Sequence, residues 1–222
     1  MNAKKLSFLL LILVAVACTN RSTSSEQDEM RHWNNVLQQI NALLLENKAR
    51  QTLDLAKQTL PEILESAEKN GTTDTLIYYA RKIFNACGNN YINTKQYKDG
   101  IDYMDSIGNH PLIREHCPHE LLSFKAGLNQ LYGNNPEAVR LAEDYLQLPV
   151  CTSANDFIRQ AEIISGVYMY SGNNLPKAIQ ILEKAIDVYR KGGNFPNMLR
   201  IMSRLGIYYH LSGEYEKAIA TN

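Results

Sequence analysis

The sequence predicts an all-α protein, a solenoid of about five stacked helix pairs, and three observations carry that prediction. From Glu29 onward apolar residues recur at helical intervals, with no alternating strand pattern between them. Small residues keep a fixed period. Gly88, Gly127, Gly166 and Gly206 are spaced by 39, 39 and 40 residues, and Ala138, Ala178 and Ala218 by 40 and 40, with Gly100 about one period earlier. Small side chains at such intervals let helices approach closely, and a sustained period marks a repeat architecture. Helix breakers then alternate with the apolar segments. Asn70-Gly71, His110-Pro111, Leu148-Pro149 and Gly192-Gly193-Asn194 fall between pairs, while Gly133-Asn134-Asn135-Pro136 and Gly172-Asn173-Asn174 fall within them.

The first residues follow a different logic. Lys4 and Lys5 precede the run Leu6–Ala17, which is apolar except for Ser7. That is short of the roughly 20 residues a membrane span needs and suits a signal peptide over residues 1–17. Ala15-Val16-Ala17-Cys18 resembles the lipobox of bacterial lipoproteins, which implies that Cys18 carries lipid and forms the mature N-terminus. Leu is the usual residue where Ala15 stands. Residues 18–28 hold Ser, Thr, Asn and charge with little to bury, and read as a flexible tether. The expected location is outside the cytoplasmic membrane, facing the periplasm or the cell exterior.

The array occupies 29–222, and its pairs differ in how clearly they show the pattern. The first, Glu29 to Lys69, offers Trp33, Leu43, Leu44 and Ala56, and Pro61 is expected to kink its second helix near Gln58. The second has Gly88, Tyr91, Tyr97 and Gly100; the third, Ala126-Gly127 and Ala138. The fourth has Ser165-Gly166, Met169, Leu175, Ala178, Leu182 and Ala185. The fifth has Leu205-Gly206, Tyr209, Gly213, Tyr215 and Ala218, and resembles the tetratricopeptide repeat (TPR) position by position. The resemblance implies a right-handed α-solenoid in which Leu-Gly and Tyr lie on the first helix and Ala packs in the angle between helices. A period near 40 exceeds the usual 34, and longer helices and inter-repeat loops are expected to take up the surplus. The fifth pair stops at Asn222, partway into its second helix, which predicts an incomplete last repeat and a longer parent protein.

No chemistry is predicted. No phosphate loop, His-Glu-x-x-His or nucleophile elbow occurs. The segment His110-Pro111-Leu112-Ile113-Arg114-Glu115-His116-Cys117-Pro118-His119 gathers metal-ligand types, but in a crowded spacing that matches no site, and reads as an inter-repeat loop. No metal, cofactor or catalytic residue is expected. Export permits a Cys117–Cys151 disulfide, but adjacent repeats usually hold their loops farther apart than the roughly 7 Å limit between Cα atoms. Cys87, beside Gly88, reads as a small buried apolar residue. With 23 basic and 23 acidic residues the formal net charge is zero, so nucleic acid is not an expected partner.

The resemblance also implies a concave face lined by first-helix residues and used for a protein or peptide ligand. Carried over through the glycine register, these are Lys82, Asn85 and Asn89, then Phe124, then Gln160 and Tyr170, then Arg200, Ser203 and His210. Lys82, Asn85 and Asn89 share one helix face and partly resemble the family's carboxylate clamp. Two roles fit such a chain. One is an anchored interaction protein, attached to the membrane through its N-terminal lipid. The other is the extracytoplasmic input region of a two-component histidine kinase or transcription regulator.

Overall fold

The computed structural model describes residues 27–149, 154–192 and 195–221. Among them stand eleven helices and no strand: α1 (27–45), α2 (Ala49–Asn70), α3 (Asp74–Asn93), α4 (Tyr97–Ile107), α5 (Pro111–His116), α6 (Pro118–Tyr132), α7 (Asn135–Gln147), α8 (Ala154–Tyr170), α9 (Leu175–Gly192), α10 (Phe195–Leu211) and α11 (Tyr215–Thr221). The expected signal, Cys18 and most of the expected tether lie outside the described residues, as does Cys151. The chain forms two compact units, one reaching to Ile83 and one starting at Phe84.

In the first unit, α1 buries Trp33, Val36 and Ile40, one stripe at helical spacing. On α2 the stripe is Leu53, Ala56, Leu60, Ile63, Leu64 and Ala67. Two buried threonines interrupt it without cost, because Thr52 and Thr59 donate their hydroxyls to the carbonyls of Lys48 and Leu55 at 2.9 and 2.8 Å. Helix α2 continues through Pro61 to Asn70. Proline cannot donate an N–H within the helix, and Lys57 and Pro61, one turn apart, both lie on its exposed side.

The second unit stacks helix pairs. Within pairs, α6 packs on α7, α8 on α9 and α10 on α11; between pairs, α6 packs on α8, and α10 on α8 and α9. The alanine series lies at the heart of each pair, with Ala138 and Ala178 fully buried and Ala218 6% exposed. Gly100 replaces alanine for a visible reason: a Cβ there would stand 3.0 Å from the Tyr91 Cβ and 3.1 Å from Leu128. Polar contacts repeat along with the packing. Lys177 pairs with Glu143 at 2.6 Å and sits over the Tyr168 ring. One period later Lys217 sits over the Tyr209 ring, and Tyr209 donates to Glu183 at 2.5 Å. Burial pushes the hydroxyls of Tyr168 and Tyr209 above their ordinary pKa, and the neighbouring carboxylates push the same way. On the last pair, Ile207 and Ile219 are 56% and 79% exposed where Val167 and Ile179, 40 residues earlier, are buried.

Every pair reverses on one left-handed residue: Asn47, Lys95, Gly133, Asn173 and Gly213, with φ of 55°, 59°, 96°, 44° and 82°. Four of the turns share one hydrogen-bond pattern. In Lys48→Leu43, Gln96→Tyr91, Asn134→Asn129 and Glu214→Tyr209 an N–H reaches back five residues and satisfies a carbonyl of the last helical turn. At Asn174 the N–H reaches Tyr168, a turn one residue longer. Lys95 fills the left-handed position without glycine or asparagine, where its Cβ costs roughly 1 kcal/mol.

The segment expected as a loop between the second and third pairs is instead helical. Pro111 and Pro118 each open a helix, where a missing N–H is harmless. His110 caps α5, its Nδ1 accepting from the Leu112 N–H at 3.3 Å. Leu112, Ile113 and Cys117 turn inward and are 6%, 0% and 0% exposed. So α5, and not only a longer loop, accounts for part of the surplus length of this repeat. Cys87 and Cys117 are both buried thiols, and Cys87 lies 3.9 Å from the Tyr103 hydroxyl.

Candidate interaction face of the first helices

In the second unit the first helices are the later part of α3, then α6, α8 and α10. The glycine register decides how closely they pack. A Cβ on Gly88 would lie 2.4 Å from the Phe124 ring, and one on Gly127 would lie 2.6 Å from Ile163 and 4.0 Å from Ile92. Gly127 thereby has α3 and α8 closing on it from two sides. Gly166 has no such neighbour: the nearest atom to its Cβ would be Gln130 Oε1, at 3.8 Å.

Two residues expected on the open face belong to the core. Phe124 is 1% exposed, because Gly88 leaves a gap that its ring fills, edge-on to Phe84 at 6.1 Å between centroids. Gln160 is 2% exposed and accepts a hydrogen bond from the Tyr145 hydroxyl at 3.2 Å. The others are accessible to differing degrees. Tyr170, Arg200, Ser203 and His210 are exposed, and the His210 ring stands 5.3 Å from that of Tyr215. Asn85 and Asn89 are half-buried; Asn89 donates its amide to the Asn85 carbonyl at 2.9 Å. Lys82 belongs to the first unit, where its ammonium lies 5.5 Å from the Tyr78 ring centroid.

The structure adds three residues to this face that the glycine register did not select. Glu162 on α8 has a side chain only 3% exposed, and Arg200 Nη2 of α10 lies 2.7 Å from its Oε2. Arg159 Nη1, one turn earlier on α8, is 3.7 Å from the same oxygen. Arg204 Nη1 donates to the Glu162 carbonyl at 3.0 Å, an acceptor shared with the Ser165 hydroxyl at 3.1 Å. Arg159 also donates through Nε to Asn89 Oδ1 at 2.7 Å, tying α8 to α3 two first helices away. Three guanidinium groups thus converge on one residue, two at the Glu162 carboxylate and one at its backbone carbonyl. Burial pulls the Arg159 pKa below its ordinary value, and the charges of Arg200 and Arg204 add to that, against the opposing pull of Glu162. Tyr208 beside them is pushed upward, chiefly by burial.

A signal for this cluster was present in the chain. Arg200 and Arg204 are four apart on one helix, and like charges at that spacing repel unless a counter-charge lies nearby. The His110–His119 segment supplies no comparable site: His119 is occupied with the Pro149 carbonyl at 2.6 Å. Among the described residues no three His, Cys, Asp or Glu side chains are grouped to hold a metal ion, and no helix is long and apolar enough to cross a membrane.

Helix pairs of this geometry define a TPR-like helical-repeat fold. The chain is similar to the TPR-like repeats of a kinesin light chain from Podosopora anserina, at 12% identity and a TM-score of 0.51, covering 85% of this chain and 90% of that one. A point variant of the same repeats gives 14% identity and a TM-score of 0.53 over the same shares. MamA from Desulfovibrio magneticus aligns over 75% of this chain and 90% of its own with a TM-score of 0.45 and 14% identity. No protein-family model matches the sequence. No curated protein matches it either.

Proposed function

We propose that this chain is an exported, lipid-anchored binding protein that holds a segment of another protein on the face of its first helices. The observation carrying the binding half is the polar, partly exposed surface of α8 and α10, where Arg159, Arg200 and Arg204 converge on Glu162 and Tyr170 stands exposed farther along α8. Arginine and tyrosine are the side chains most enriched at the energetic centres of protein interfaces. Helix-pair scaffolds hold such a face rigid, so a ligand meets groups already positioned. Anchoring rests on Lys4-Lys5, the apolar run to Ala17 and the Cys18 that follows it.

Each half has its own test. Panning a random dodecapeptide display library on the purified chain is expected to enrich related sequences that compete for one site; no enrichment in repeated rounds refutes the binding half. Mass spectrometry of the N-terminal peptide of the membrane-extracted protein is expected to show Cys18 as the first residue, carrying acyl groups. An unmodified Cys18, or a retained Met1, refutes the anchor.

A further inference from the structure

We infer that Arg159, Arg200 and Arg204 form a seat for an acidic stretch of the protein partner, with Glu162 as the internal counter-ion that keeps the seat assembled while it is empty. This deepens the binding reading above and rests on it.

Charge is the first argument. Two guanidinium groups, of Arg200 and Arg159, face the Glu162 carboxylate and a third, of Arg204, is held at its backbone carbonyl, so among the described residues these groups carry two positive charges in excess on a chain whose formal net charge is zero. Arg204 contacts Glu162 through the backbone carbonyl, a neutral acceptor, and so its charge is left uncompensated by that bond. Arg159 likewise gives its Nε to the neutral amide oxygen of Asn89. These contacts orient the guanidiniums without neutralising them.

Donor capacity is the second. Each guanidinium offers five N–H groups in a planar fork suited to a carboxylate. The contacts described above engage a minority of them. Arg200 and Arg159 keep 54% and 37% of their side-chain surface accessible, so a ligand can reach them from solvent.

The buried acid is the third. Burying a carboxylate is unfavourable unless charge and hydrogen bonds offset it. Glu162 Oε2 has the Arg200 charge at 2.7 Å, yet no aligned hydrogen bond reaches it. A fully optimised structural bridge would close as a two-bond fork. This one does not, and Arg200 can pivot toward an incoming carboxylate while Glu162 continues to balance Arg159. A side chain of Asp or Glu on the partner then completes the charge set that the fold leaves unfinished.

The library selection described above decides the matter, read now for composition. Enriched peptides are expected to carry two or more Asp or Glu residues, above the library frequency. Panning on the Arg200→Gln, Arg204→Gln double variant is expected to lose that bias. A synthetic copy of the best peptide is expected to bind the variant at least about tenfold more weakly. Binding to the native chain is expected to weaken with added salt. Thermal unfolding establishes that the variant is folded. A reading independent of any variant is the arginine Nε–Hε NMR signals of the native protein, which are expected to move on addition of that peptide. Enrichment without acidic bias, or arginine signals that stay still, overturns the seat and leaves the binding reading standing. Absence of any enrichment removes both.

Discussion

Gly88→Ala is expected to destabilise the second unit by about 2 kcal/mol, whereas Gly166→Ala, at the equivalent place in the repeat, is expected to stabilise it by roughly 0.5–1 kcal/mol. Both glycines lie inside helices, and alanine favours helix over glycine by about 1 kcal/mol. What differs is the space beside them. The new methyl at position 88 would stand 2.4–2.6 Å from three carbons of the Phe124 ring, which is 1% exposed and cannot swing into solvent. At position 166 the nearest atom is 3.8 Å away, an ordinary contact. Gly127→Ala is expected between the two, since Ile163 is half-buried and can shift its methyl. Urea unfolding followed by circular dichroism ranks the three. Phe124→Leu in the Gly88→Ala background is expected to recover part of the loss, with a coupling of about 1 kcal/mol or more. Equal shifts for Gly88 and Gly166 would show that the close approach is not what the glycines provide.

That contrast marks where the sequence stops being informative. The period was legible because each repeat needs a small residue and a turn at the same place, and the alanine series gave the same register. Whether a given glycine is required depends on the facing side chain, which lies about 36 residues away in both cases: Phe124 opposite Gly88, Ile163 opposite Gly127. The same dependence misplaced Phe124 and Gln160. Their register positions are open at Ser203 and Arg200 but filled where a neighbouring gap or a buried tyrosine hydroxyl draws the side chain inward. Turns at Gly133 and Gly213 were visible from residue type, while the one at Lys95 carried no such mark. Helix α5 was hidden by its own composition, since the two prolines that suggested a loop each begin a helix.

The charge cluster escaped for a different reason. Its parts come from α3, α8 and α10, and a one-dimensional register brings forward only residues that repeat. Arg159, Glu162 and Arg204 have no counterparts at a fixed spacing, because one buried acid serves charges from two helix pairs. A device that occurs once in an array breaks its periodicity, and such breaks are where a repeat protein differs from its own scaffold.

Glu162→Gln tests the cluster most directly, and is expected to cost about 1–2 kcal/mol of stability at low ionic strength. Removing one member of a fully buried ion pair typically costs about 3–5 kcal/mol; here Arg200 and Arg159 are 54% and 37% accessible, so water meets part of the loss. Glutamine keeps the shape and the Glu162 carbonyl, and with it the anchor of Arg204. What disappears is the negative charge among three guanidiniums. The sign of the salt response follows. In the native chain salt screens both attraction and repulsion, and stability moves little. In the variant repulsion alone remains, so raising NaCl from about 0.05 to about 0.5 M, which shortens the Debye length to under half, is expected to restore much of the loss. Arg200→Gln removes one of three like charges and leaves Glu162 paired with Arg159, and is expected to cost under about 1 kcal/mol with little salt dependence. Urea midpoints of the three proteins at both salt concentrations give the comparison. If Glu162→Gln costs no more than Arg200→Gln, or if salt moves the two alike, Glu162 is not the counter-charge that assembles the arginines.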